Sequence, residues 1–220
     1  MVHYRTVHNV YTIFQEIYLL FEPCHFGTMS EMKWATEPMK DLLEKKIVVP
    51  DYQRDYSWTN EEVADFLSDL HSFINSNDEE YLYGQIKTHF GNNTRYIIDG
   101  QQRLCTSVIY LKVIWDIAEK LKEENSKAEN LWEMTYALRE CVGEKQENGD
   151  LRANLTMGGS NKVFFKDYII DGDHSIKASN KSNKRIAAAY AYIFKYISEL
   201  LEGLSFDDKV KLLENIGARL

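Results

Sequence analysis

The tightest constraint in this sequence lies at residues 94–118. A β-rich run, Thr-Arg-Tyr-Ile-Ile-Asp, ends at Asp99-Gly100 and passes at once into Leu104, Val108, Leu111, Trp115 and Ala118, an apolar series at helical spacing. A second β-rich run, residues 81–90, precedes it across Gly91-Asn92-Asn93, and glycine and asparagine accept positive φ at low cost. The pair therefore reads as a β-hairpin that feeds a long helix through a tight turn. Neither an all-helical bundle nor an all-β sandwich accommodates such a junction. Together with the helical patterns downstream it indicates an α+β chain.

The rest of the pattern fits that class. Periodicity suggests a helix from about Arg5 to Phe21, broken by Pro23 and Gly27. Residues 1–35 are expected to form an N-terminal extension, and Met29 or Met32 can serve as an alternative start, which makes residues 1–28 a candidate non-native upstream extension without function, the alternative being a docking helix. Pro38 opens a short helix that runs through Lys46, and Ile47-Val48-Val49 reads as a strand ended by Pro50. After the loop at residues 51–58, Thr59 and Glu62 have capping-box spacing ahead of the stripe Val63, Phe66, Leu67, Leu70 and Ile74. Leu131, Met134, Leu138 and Val142 mark a further helix that ends near Gly143 or Gly149, and a connector is expected next. Ile186, Tyr190, Ile193, Ile197 and Leu200 mark a long helix stopped by Gly203, and Ser205-x-x-Asp208 opens another. This divides residues 36–220 into a β-containing half, 36–125, and a helical half, 126–220, expected to be truncated at its C-terminal end.

Composition bears on function class. With 44% hydrophobic residues, 11 glycines and 3 prolines the chain can bury a core. No apolar run reaches the roughly 18 residues of a membrane span, and residues 1–28 lack a secretory leader's basic start and small-residue cleavage site. A cytoplasmic location with no membrane partner is the expectation. Three widely spaced cysteines suit reduced thiols, and six scattered histidines offer no zinc-binding spacing. The net charge of −8 disfavours a protein that coats nucleic acid. Its distribution is uneven, since residues 152–197 hold eight cations against three carboxylates and residues 116–150 hold five against ten. Lys181, Lys184 and Arg185, at a helix start, are the candidate DNA contacts, and the acidic stretch is expected to face away from a duplex.

The strand–helix turn, residues 97–103, holds an acid, a glycine, two amides and a guanidinium. Free N–H groups at a helix start attract phosphate, Gly100 permits close approach, and Arg103 can add a bidentate contact. Asp99 then serves to hold a divalent cation against phosphates or to orient a water, while Gln101 and Gln102 position that water or bond a base. An equally open reading needs no ligand: a buried Asp99 that caps the helix and pairs with Arg103. Upstream, residues 52–58 place Gln53 and Arg54 beside the exposed-looking aromatics Tyr56 and Trp58, which suits phosphate contact and base stacking. The competing reading is that Tyr52, Tyr56 and Trp58 plug the core under the loop, the commoner fate of Trp. The loop signatures of P-loop NTPases and dinucleotide-binding folds are absent from the sequence.

The ordered set Ile47-Val48-Val49-Pro50-Asp51-Tyr52-Gln53-Arg54-Asp55-Tyr56-Ser57-Trp58, then residues 81–86, then Tyr96 to Thr106, resembles the N-terminal domain of GmrSD-type restriction endonucleases, and residues 182–194 look familial too. Cys105 stands where that family usually has threonine. The resemblance spans roughly residues 38–201. It implies a ParB/sulfiredoxin-like fold for the β-containing half, with the Asp-Gly-Gln-Gln-Arg turn as nucleotide site. Carried over by position, Asp99, Gln101 and Gln102 are the catalytic candidates, and Gly100, Arg103, Gln53, Arg54, Tyr56 and Trp58 the nucleotide-binding ones. Asp99 is also the candidate Mg²⁺ ligand, through phosphate.

The expected function is a nucleotide-binding, NTP-hydrolysing regulatory domain of a DNA restriction or antiphage system. Its expected partners are a nucleoside triphosphate with Mg²⁺, DNA that includes modified phage DNA, and a nuclease domain or subunit outside this chain. No nuclease activity is expected of this chain alone. The alternatives are a non-catalytic DNA-binding module and a ParB-like nuclease.

Overall fold

The computed structural model describes residues 17–21, 35–76, 81–91, 94–125, 129–147 and 151–218. Its central sheet has four strands in the order β5-β6-β3-β9. Strands β5 (Lys87–Gly91) and β6 (Thr94–Asp99) form the antiparallel hairpin that the Gly-Asn-Asn break foretells. Strand β3 (Ile47–Val48) runs parallel to β6 on one side and to β9 (Leu155–Thr156) on the other. A second sheet orders β2-β1-β4, with β1 (Ile17–Phe21) antiparallel to β2 (Ala35–Pro38) and parallel to β4 (Tyr81–Gln85). Strands β7 (Gly143–Lys145) and β8 (Leu151–Ala153) make a separate hairpin. With seven helices among the described residues, the α+β class is the observed one.

The helices surround α3 (Gln101–Glu124), which packs against α4 (Glu129–Val142), α6 (Lys181–Leu201) and α7 (Phe206–Ala218). Leu104, Val108, Leu111 and Ala118 are buried as the spacing predicts, but so are Cys105, Ile109, Tyr110, Val113 and Ile114 on its other faces. A helix apolar on all sides belongs inside a core. The short α1 (Met39–Leu43) packs against β1, β2 and α4, and α2 (Asn60–Ile74) buries Val63, Phe66, Leu67, Leu70 and Ile74. Its start is the expected capping box: Thr59 N–H donates to Glu62 Oε2 at 2.6 Å, and Glu61 N–H donates to Thr59 Oγ1 at 3.3 Å. Thr59→Ala should cost about 1 kcal/mol. Urea denaturation would detect that loss, and an unchanged midpoint would show that the cap contributes nothing.

Several expectations are corrected. Residues 17–21 form β1, not the end of a helix, because pairing with both β2 and β4 satisfies their backbone; residues 5–16 of that expected helix lie outside the described residues. The run 81–90 is two strands in two sheets, broken at the fully buried Ile86. The helix opened by Pro38 starts at Met39 and stops at Leu43. The connector after Gly143 is structured: it contains β7 to β9, then α5 (Lys162–Phe164) and a π-helical turn, Phe165–Ile170. Through β9 the second half of the chain supplies an edge of the central sheet. Gly203, at φ +76, follows the end of α6 as expected.

Candidate functional site

Strand β6 ends at Asp99, and Gly100 turns the chain into α3 with φ +88. A Cβ there would lie 2.9 Å from both Gln85 O and Ile86 Cγ1, so conformation and space both require glycine. Asp99 is exposed, and its Oδ1 accepts the Gly100 N–H at 2.8 Å. This excludes the buried capping acid. Helix α3 starts with no side-chain cap, which leaves the positive end of a 24-residue helix beside an exposed carboxylate. One turn in, the half-buried Arg103 lies against Gly84, where a Cβ would come within 2.8 Å of Nη1. Gly84 thus makes room for the guanidinium.

The loop at residues 51–58 is stitched to this turn. Gln53 Nε2 donates to Ile98 O at 2.9 Å, and Gln101 Nε2 donates to Arg54 O at 2.6 Å. Gln102 Oε1 accepts the Ser57 N–H at 2.7 Å, and its Nε2 donates to Asp55 O at 3.2 Å. The two motifs are therefore one structural unit, with the amides as its rivets. Gln101 and Gln102 are only 5% and 6% exposed, so their amide groups hold the loop backbone where a contact to water or base was expected. Gln101 Oε1 is buried without a hydrogen-bond partner.

The aromatics are also placed differently from expectation. Tyr56 is 1% exposed, and its hydroxyl bonds Thr106 Oγ1 at 2.8 Å; burial pushes the phenol far above its usual range. As placed, it supports the loop from within the core and offers no face to a base. Trp58 is half-buried, 6.2 Å from the Phe66 ring. Tyr52, absent from the expected set, is 80% exposed. On the outside of the unit stand Asp99 and Arg54, with the half-buried Gly100 and Arg103 beside them.

A second layer escaped the sequence reading. Asn161 is fully buried: its Oδ1 accepts the Tyr56 N–H at 2.9 Å and the Ser182 hydroxyl at 2.9 Å, and its Nδ2 donates to Asn183 Oδ1 at 3.0 Å. Ser160 Oγ donates to Asp55 Oδ2 at 2.8 Å and accepts from Asn180, the residue that caps α6, at 3.1 Å. Gly158 allows this turn to approach β3, since a Cβ would lie 2.5 Å from Val49 O. The only signal for these residues is the density of small polar side chains at 158–161 and 179–183.

This layer brings the basic helix start to the loop. Lys181 and Lys184 are exposed in the first turn of α6, and Arg185 is half-buried. The Glu62 carboxyl, held below its usual range first by its Thr59 hydrogen bonds, also feels the Arg185 charge. The starts of α2, α3 and α6 thus meet around residues 51–58.

Among the described residues no group of three or more His, Cys, Asp or Glu converges on a metal position, and no helix is long and apolar enough to cross a membrane. No curated protein matches the chain. The model of the GmrSD restriction endonuclease N-terminal domain matches residues 39–216, which contain the turn, the loop and the buried polar layer alike; the chain belongs to that family.

Proposed function

We propose that this chain is the nucleotide-binding, NTP-hydrolysing regulatory domain of a DNA restriction or antiphage system, with the turn at Asp99–Arg103 as its nucleotide site. Family membership makes it a restriction-system component and suggests DNA and a nuclease domain as partners. The observation that carries the nucleotide reading is the uncapped start of α3 at Gly100, flanked by the exposed Asp99 and Arg54. Backbone N–H groups and a helix dipole bind phosphate there, and Arg54 and Arg103 supply the cationic contacts.

A Mg²⁺ ion fits the donors present: Asp99 spends one oxygen on Gly100 N–H and keeps the other for a hard cation shared with phosphate oxygens. Bound so, the ion would neutralise phosphate charge. Gln101 and Gln102 act by fixing the backbone at Arg54 and Asp55 and so the direction from which Arg54 meets the ligand. Equilibrium binding of the four common NTPs with and without Mg²⁺ tests the reading. At least one should bind in a Mg²⁺-dependent manner, and no binding by any of the four would refute it.

The position of Lys181, Lys184 and Arg185 favours a second reading, a DNA-binding module without turnover. If about three to five cations of the 152–197 segment reach phosphate, log affinity for duplex DNA should fall with log salt at a slope near −3 to −5. Charge reversal of those three residues should flatten the slope, and reversal of the exposed Lys120 and Lys211 should not. Identical behaviour of the two variants would show that the basic helix start is merely solvated.

A further inference from the structure

A nucleotide has two ends, and the polar turn at Asp99–Arg103 suits only the phosphate one. Of the three aromatics in the loop at residues 51–58, Tyr56 lies in the core and Trp58 is half-buried beside Phe66. Tyr52 presents its ring to solvent, at 80% exposure. The backbone under that ring is fixed on both sides. Asp51 Oδ1 accepts the Gly159 N–H at 2.8 Å, the Gln53 N–H closes a turn onto Pro50 O at 3.0 Å, and Gln53 Nε2 donates to Ile98 O at 2.9 Å. A ring mounted on a pinned turn loses less freedom when a flat ligand stacks on it.

The bond from Gln53 also sets the neighbourhood. Ile98 is the residue before Asp99, and its side chain is 37% exposed although β6 lies between two other strands of the central sheet. Tyr52 and Ile98 are thus two of the few large apolar side chains that the described residues leave exposed, and one hydrogen bond joins the segments that carry them, next to Arg54 and Asp99. An aromatic and an aliphatic side chain beside a few polar groups are the ordinary lining of a small-molecule site. Charge sets the direction. The Asp51 carboxylate, adjacent in the chain to Tyr52, disfavours phosphate there but not an uncharged base. Arg54, whose carbonyl is held by Gln101, lies at the phosphate end.

We propose that Tyr52 and Ile98 form the platform for the base of a nucleotide whose phosphates lie at the Asp99–Arg103 turn. This base site rests on the nucleotide reading above and completes it. Every base has a π face, so the platform adds affinity for all four and leaves the choice among them to other groups.

The test is isothermal titration of the full chain, in Mg²⁺, with the four common NTPs and with inorganic tripolyphosphate, which has no base. The wild type should bind at least one NTP more tightly than tripolyphosphate. Tyr52→Ala should weaken binding of that NTP about tenfold and leave tripolyphosphate affinity unchanged, with circular dichroism as in the wild type. Tyr52→Phe, which keeps the ring, should retain the NTP affinity. Ile98→Thr, which keeps the β-branched shape a strand favours, should weaken NTP binding by less than Tyr52→Ala and again spare tripolyphosphate. Wild-type NTP affinity in Tyr52→Ala would overturn the base site and leave the nucleotide reading standing. Equal losses for NTP and tripolyphosphate would overturn it too, since the loop would then only shape the phosphate end. Loss of single-stranded oligonucleotide binding in Tyr52→Ala with NTP affinity unchanged would assign the platform to DNA instead. Failure of the wild type to bind any NTP would refute the nucleotide reading and the base site together.

Discussion

Asn161→Ala is expected to destabilise the protein by about 3 kcal/mol, since each buried polar group left unpaired costs roughly 1–3 kcal/mol and three are affected. Truncation removes the acceptor for the Tyr56 N–H and for the Ser182 hydroxyl and the donor to Asn183 Oδ1, all at a position with no solvent exposure. Ser182 retains Tyr56 O at 2.8 Å, which keeps the total below the sum of three full penalties. Water cannot simply replace the amide, because Tyr56, Ser182 and Asn183 are themselves buried. Asn161→Asp separates the roles: it keeps the two acceptor contacts, loses the donor, and sets a carboxylate oxygen against Asn183 Oδ1. It should therefore also destabilise. Urea unfolding of both variants measures the effect, and a loss under about 1 kcal/mol in Asn161→Ala would show that the loop is held by Gln53, Gln101 and Gln102 instead. If the layer matters as argued, Asn161→Ala should also loosen residues 51–58 in hydrogen exchange before the rest of the chain opens.

Residues close in sequence gave away their structure, and residues close only in space did not. The capping box at Thr59 and Glu62, the antiparallel pairing of β5 with β6 and the positive-φ turn at Gly100 are local arrangements, decided by neighbours within a few positions. The pairing of β9 with β3 and the bond from Tyr56 to Asn161 join residues more than a hundred positions apart, which periodicity cannot register. The loop shows why residue type alone misleads. Tyr52 and Tyr56 look alike in sequence, yet one is 80% exposed and the other 1%, because only Tyr56 lies over the Thr106 face of α3. The glutamines mislead for a similar reason. An amide suits a base, a water or a peptide group equally well, and here two peptide groups of residues 54–55 and the N–H of Ser57 reach Gln101 and Gln102 first. Asp99 carried an ambiguity of its own, buried cap or exposed acid, and only the structure places it exposed at the end of β6.

Asp99→Asn and Arg103→Ala should each weaken Mg²⁺-dependent nucleotide binding by about tenfold to a hundredfold, the value of losing charge-assisted bonds worth roughly 1.5–3 kcal/mol. The asparagine variant is the sharper probe of the acid. Its amide oxygen can still accept the Gly100 N–H, so the turn keeps its local support while the charge that would hold a cation disappears. Arg103 is half-buried against Gly84, so removal of its side chain opens space at a surface and not in the core. Arg103→Lys tests the contact type, since lysine keeps the charge but loses the planar fork. If Arg103 grips phosphate in a bidentate manner, lysine should restore only part of the affinity; full restoration would show that a positive charge suffices. Isothermal titration with and without Mg²⁺, alongside circular dichroism, reads all three variants. Should Asp99→Asn and Arg103→Ala bind nucleotide as the wild type does while folded, the start of α3 is a structural joint and the nucleotide site lies elsewhere.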